Sequence, residues 1–187
     1  MHGGLRGAVH LCRYFLLERI KPGDRVVDAT CGNGQDTLLL AELVGEGGHV
    51  QAFDIQEEAL QRTKERLVAA GLDGRVDLLH AGHERLSELV EGPLAAAVFN
   101  LGYLPAGDRS VTTAAATTIT ALQQAAGLLA TGGLLLIAVY TGHDGGEEWS
   151  AVQGWAAGLH PHEFNVWQAR QLNRSEAAPF VVFVEKV

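Results

Sequence analysis

The chain has 187 residues, 47% of them apolar and 19% charged, with a mean hydropathy of +0.08. At about 100–200 residues per domain, residues 1–187 make one domain that needs no disulfide or metal staple and is too apolar to be disordered. The net charge of −8 argues against a strongly basic nucleic-acid binder, and the lack of a long apolar run, signal peptide or metal-type cysteine spacing predicts a cytoplasmic protein with no membrane span and no metal. Leu5, Val9, Cys12, Leu16 and Ile20 predict an amphipathic helix over 5–20, stopped by Lys21-Pro22-Gly23-Asp24. A strand over 25–30, a glycine-bearing turn and a helix to about Val44 come next. Strands are expected over 49–55, 76–81, 94–101 and 133–140, with helices over 57–70, 84–90, 112–130 and 147–158. The end differs. Residues 163–173 and 180–186 read as two strands with no helix between them, which should pair antiparallel near a sheet edge. Residues 1–22 thus form an N-terminal helix and 23–187 a core of repeated β-α units, and open sheets of this kind bind ligands at the carboxyl ends of their strands.

The first strand runs into Asp28-Ala29-Thr30-Cys31-Gly32-Asn33-Gly34-Gln35-Asp36-Thr37. Gly32 and Gly34 permit a tight turn and a close approach of ligand to backbone. Asp54 ends the second strand, where an acid can accept hydrogen bonds from ribose hydroxyls. Thr37 stands where the dinucleotide fingerprint needs its third glycine, and the loop has no Lys or Arg to meet a pyrophosphate. Asp28 would repel a phosphate and attract the ammonium of an amino acid, which favours S-adenosylmethionine over a nicotinamide dinucleotide. Cys31 is expected to pack under the loop rather than act as a nucleophile.

The fourth strand runs into Asn100-Leu101-Gly102-Tyr103-Leu104-Pro105. Asn-x-x-Tyr at this place resembles the Asn-Pro-Pro-Tyr of amino-group methyltransferases. The Asn oxygen can hold amine hydrogens and so aim the nitrogen lone pair, while the ring can lie over an acceptor base. Asp108, in the polar loop after it, is a candidate proton acceptor, as is His143 after the fifth strand. His83 comes after the third strand, where this fold contacts adenine.

These stretches, together with Ala52-Phe53-Asp54-Ile55-Gln56, Gly107-Asp108-Arg109-Ser110-Val111-Thr112-Thr113 and Val139-Tyr140-Thr141-Gly142-His143, resemble the small bacterial YtqB-like (MnmM) family, also labelled rRNA methylase. The resemblance runs from about residue 20 to Lys186. It implies an α/β, Rossmann-like class I S-adenosylmethionine-dependent methyltransferase with a seven-stranded, mostly parallel sheet and an antiparallel last strand. It also implies N-methylation of 5-aminomethyl-2-thiouridine at the tRNA wobble position, with a tRNA anticodon stem-loop as partner. Cofactor contacts are implied at Asn33, Asp36, Asp54, Gln56, Gly82, His83 and Asn100, which with Asp28, Cys31, Gly32, Gly34, Thr37 and Ile55 make the expected cofactor site. Asn100, Tyr103, Asp108 and His143 make the expected catalytic set. Arg6, Arg13 and Arg19 of the first helix, with Arg170 and Arg174, are the candidate phosphate contacts, and Lys21 and Arg25 extend the local basic stretch. Other readings are a methyltransferase for ribosomal RNA or a small amine, and a non-catalytic S-adenosylmethionine sensor. Monomer and homodimer are both left open.

Overall fold

Val26 and Val27 are adjacent in the chain and both buried, on opposite faces of one strand. Such a strand needs helices on both sides of its sheet. The computed structural model describes residues 6–102, 112–141 and 144–187. Chain order is α1 (Ala8–Arg19), β1 (Arg25–Asp28), α2 (Gln35–Val44), β2 (His49–Asp54), α3 (Glu57–Ala70), β3 (Val76–His80), α4 (Leu86–Leu89), β4 (Leu94–Asn100), α5 (Ala115–Leu128), β5 (Leu129–Val139), α6 (Glu147–Ala157), β6 (Phe164–Ala169) and β7 (Phe180–Lys186). The alternation of Val26 and Val27 recurs at Ala96 and Ala97, and at Leu136 and Leu135. One member of each pair packs with residues of α1, α2 and α3, the other with residues of α4, α5 and α6.

The seven strands form one sheet in the order β3-β2-β1-β4-β5-β7-β6. Neighbours from β3 through β5 pair parallel, and β7 is antiparallel to both β5 and β6. From β1 the chain builds outward through β2 and β3 on one side, then returns to add β4 and β5 on the other. The strand order therefore reverses between β1 and β4, where connections leave the sheet in opposite directions and open a crevice. Helix α1 lies over the β5–β7 part of one face, with Phe15 tilted on Phe183 at 4.6 Å and Leu16 and Ile20 in the same core.

Several boundaries differ from the sequence expectation, most by a residue or two, with three wider differences at α5, β5 and β6. Helix α5 begins at Ala115 rather than 112, because Thr113 is bound to the end of β4: its N–H donates to Gly102 O at 3.0 Å and its Oγ1 accepts the Gly102 N–H at 2.9 Å. Strand β6 ends at Ala169, leaving 170–173 outside the sheet. Strand β5 begins at Leu129 instead of 133, since Leu129 pairs with Leu94 before a register shift brings Leu134 opposite Ala96. Gly133 sits in that irregularity. A Cβ there would lie 2.7 Å from Leu94 O and 2.8 Å from Ala130 O, both backbone atoms. Gly133→Ala is expected to cost about 1–3 kcal/mol through this overpacking, read as a lower urea midpoint with an unchanged m value.

Candidate active site

The carboxyl ends of β1, β2, β3 and β4 converge on a cavity of about 300 Å³. Its walls include Thr30 and Gly32 after β1, Asp54, Ile55 and Gln56 at the end of β2, Gly82 and His83 after β3, and Asn100 ending β4. Asp54 is held in place by two backbone donors. Its Oδ2 accepts the Gly32 N–H at 3.0 Å and its Oδ1 accepts the Gln56 N–H at 2.9 Å. It braces two loops and caps no helix. A carboxylate offers about four lone-pair sites, so two remain for a vicinal diol. Burial holds the His83 imidazole below its ordinary titration range, against an opposing pull from Glu84 and a hydrogen bond to the Ala29 backbone. It therefore presents a neutral ring beside Phe99, 5.9 Å between centroids.

Other expected residues lie behind this wall. Asp28 is fully buried, and its carboxylate accepts from Thr37 Oγ1 at 2.6 Å and from the Thr30 N–H at 3.3 Å. Burial, reinforced by the Asp36 charge, raises its pKa to about 7, against lowering by the Thr37 hydroxyl. Cys31 is buried and its thiol is pushed up, first by burial and then by Asp28, so it is no nucleophile near neutral pH. Gly34 takes φ +72°, and a Cβ there would sit 2.7 Å from Thr63 Oγ1 and 3.0 Å from Thr63 Cα. The second glycine of the loop thus makes room for α3. Thr63 fills that space and donates to Gly32 O at 3.1 Å. Asn33 lies on the outer side, accepting from Arg62 Nη1 at 3.2 Å.

Asn100 joins the wall to the interior. Its N–H donates to Thr30 Oγ1 at 2.7 Å, and its Nδ2 donates to Asp36 Oδ2 at 3.0 Å. A carboxylate accepts only, so the amide orientation is decided by its partner and Oδ1 is the acceptor end. Asp36 in turn accepts from Arg13 Nε at 3.0 Å. Tyr103, Asp108 and His143 lie outside the described residues. Among the described residues, no group of three His, Cys, Asp or Glu is arranged to hold a metal ion, and no helix is long and apolar enough to cross a membrane.

Sequence reasoning missed three participants. Thr30 bridges β1 and β4 and lines the cavity, and Glu84 lines the same cavity. Glu148 of α6 is buried and accepts from Thr113 Oγ1 at 2.9 Å and Thr118 Oγ1 at 2.6 Å, tying α6 to the segment after β4. The only local signal was an acid in the first turn of a helix, which also fits a solvated one. The candidate phosphate-binding arginines are partly engaged within the chain. Arg19 bonds Glu185 and Gly132 O, while Arg170 lies 4.2 Å from the Phe180 ring centroid and donates to Glu176 O.

Comparison with known proteins places this geometry. Residues 50–185 match the family described as "Putative rRNA methylase". The chain belongs to the rRNA_methylase family. It is 38% identical over 194 residues to the Arabidopsis thaliana protein "tRNA (mnm(5)s(2)U34)-methyltransferase, chloroplastic", covering 98% of this chain and 70% of that protein. A crystal structure of a "putative rRNA-methylase" from Clostridium thermocellum superposes with TM-score 0.94 at 40% identity, covering 97% of this chain and 98% of that one. A Streptococcus mutans "putative methyltransferase", SMU.1697c, solved in complex with SAH, gives 0.88 at 38% identity, covering 97% and 99%. The fold is that of class I S-adenosylmethionine-dependent methyltransferases, and this member of the rRNA_methylase family is a methyltransferase.

The raised Asp28 value has a measurable consequence. Its folded pKa of about 7 exceeds that of the unfolded chain, so the native state holds a proton that the unfolded state has released between about pH 4 and pH 7. The contribution of Asp28 to stability is full below that window, falls as pH rises through it, and is flat above. Carbon-13 NMR of labelled aspartate carboxyls should show one titration near neutrality that disappears in Asp28→Asn, and urea midpoints should lose the corresponding slope.

Proposed function

We propose that this methyltransferase binds S-adenosylmethionine at the ends of β1 to β4 and methylates the aminomethyl nitrogen of 5-aminomethyl-2-thiouridine at the tRNA wobble position. The observation that carries the reading is Asn100, on the cavity wall shared with Asp54, with its amide nitrogen donating to Asp36 and its oxygen left as an acceptor. The tRNA assignment leans on the 38%-identical Arabidopsis relative and on the Asn-Leu-Gly-Tyr-Leu-Pro block.

The residues present fit the cofactor. Asp54 has acceptor capacity for the ribose hydroxyls after its two backbone bonds. Neutral His83 and Ile55 provide a flat, weakly polar wall for the adenine. Bound there, the cofactor supplies an electrophilic methyl carbon on a sulfonium, which departs as a neutral thioether. Asn100 Oδ1 accepts an N–H of the substrate amine and so aims the nitrogen lone pair. Tyr103 shares with Asn100 the task of positioning the substrate in this reading. The proton that the nitrogen must lose goes to Asp108, His143 or water. The wobble nucleoside is already unpaired in the anticodon loop, so presenting it avoids most of the cost of extracting a base from a duplex. Ribosomal RNA is the second reading, favoured by the family description.

RNA from cells lacking the endogenous wobble methyltransferase, incubated with this protein and S-adenosylmethionine and digested to nucleosides, tests the substrate by mass spectrometry. Loss of 5-aminomethyl-2-thiouridine with gain of its N-methyl form is expected. A methyl gained only on another nucleoside overturns the substrate and keeps the cofactor, and no methyl gained anywhere overturns both RNA readings. Asp54→Ala should weaken S-adenosylmethionine binding by about tenfold or more, from two lost hydrogen bonds to a charged acceptor, and calorimetry at wild-type affinity would contradict the ribose role. Asn100→Ala should lower turnover far more than it lowers cofactor affinity.

A further inference from the structure

Asp36 has both carboxylate oxygens bound, by side chains from two different elements. Oδ2 takes Asn100 Nδ2 from the end of β4, and Oδ1 takes Arg13 Nε from α1, each at 3.0 Å. Arg13 has a second hold on the same helix turn, its Nη2 donating to Gln35 Oε1 at 3.2 Å. The Asp36 side chain is 12% exposed and that of Arg13 32%, so the pair is sheltered more than a surface ion pair. The three side chains make a line from the helix over β5 and β7, through the start of α2, to the cavity.

We propose that Arg13 is a positioning residue for methyl transfer, which through Asp36 keeps the Asn100 amide turned with its oxygen available to the substrate. This rests on the role given to Asn100 above. The physical reason is the one-way chemistry of the carboxylate. As an ionised acceptor it tolerates only the NH2 end of the amide, and a carboxyl able to donate would accommodate either end. Other groups surround Asp36. Asp28 from β1 and Cys12 from α1 each feel its charge, and so does Tyr140 after β5. Asp28 when ionised, and the Cys12 thiol or Tyr140 phenol when deprotonated, oppose a charge on Asp36. Arg13 is the cation bonded to it among the described residues. The fork of Arg13 also fixes direction, because Nε and Nη2 address Asp36 and Gln35 together. A lysine could replace the charge but would offer a point donor in place of the fork.

The first measurement needs no RNA. In protein carrying nitrogen-15 asparagine, the side-chain NH2 pair that vanishes in Asn100→Ala identifies Asn100. That pair should be shielded from solvent exchange in the wild type. It should shift and exchange faster in Arg13→Gln, and move less in Arg13→Lys. An Asn100 pair unmoved by Arg13→Gln overturns the proposal. The second measurement is single-turnover transfer of a labelled methyl group to the RNA described above. Arg13→Gln should lower the rate by about 10- to 100-fold, with S-adenosylmethionine affinity by calorimetry within about twofold of wild type, and Arg13→Lys should recover part of the rate. In an Asn100→Ala background, Arg13→Gln should add no further loss. A full rate in Arg13→Gln, or a loss that multiplies with that of Asn100→Ala, overturns this inference while the role of Asn100 stands. A wild-type rate in Asn100→Ala alone overturns the role of Asn100 and this inference with it. A loss of cofactor affinity equal to the loss of rate would make Arg13 a structural residue of the pocket and also overturn it.

Discussion

A parallel sheet leaves backbone groups at the carboxyl ends of its strands without a strand partner, and these must be satisfied before the end can be buried. In this protein side chains share that task with neighbouring backbone carbonyls. The Thr30 N–H goes to Asp28, the Asn100 N–H to Thr30 Oγ1, and the Gly32 and Gln56 N–H groups to the two oxygens of Asp54. The groups that finish the strands therefore also build the cavity. A substitution at Asp54 or Thr30 alters a ligand wall and a strand terminus at once, which is why cofactor affinity and thermal stability should move together at these positions.

The cost of this solution is an acidic concentration. Asp28, Asp36 and Asp54 occupy one small region, and Asp28 is pushed toward neutrality by burial and by Asp36. The overall charge of −8 has a local counterpart here, in a chain whose proposed partner is a polyanion. The conflict is less sharp than the total suggests. An acidic cavity attracts the sulfonium and ammonium groups of a methyl donor, whereas an RNA backbone meets only the outer surface. That surface is poorer in available arginine than the composition implies, since Arg13, Arg19 and Arg170 already have partners within the chain.

The α/β alternation and the positions of Asp54 and Asn100 were legible in the sequence, because period and local spacing encode where a strand ends and which residues come after it. Features that depend on two elements meeting were not. Asp36 with Arg13 and Glu148 with Thr118 join residues 23 and 30 positions apart, and only helix packing brings them together. Gly34 was recognisable as a required glycine, but its packing against Thr63 belongs to tertiary structure. The start of β5 was hidden for a related reason. Leu129 to Gly132 has no strand pattern of its own and enters the sheet through its pairing with β4. Asn100 was legible as a candidate, while the direction of its amide needed the structure.

The placement of β7 between β5 and β6 orders the assembly of the sheet in time. On a ribosome, β1 to β5 can emerge and pair in succession. The outer edge of β5, with Leu134 to Val139 almost wholly apolar, has no partner until Phe180 to Lys186 has been made. β6 emerges earlier but pairs only with β7, so it has nothing to join in the interval. For the span of about 40 residues between these strands, the nascent chain carries an open, hydrophobic strand edge. Helix α1 is already available to cover one face of that edge, and its early position in the chain gives the unfinished sheet a shield before its final strand arrives.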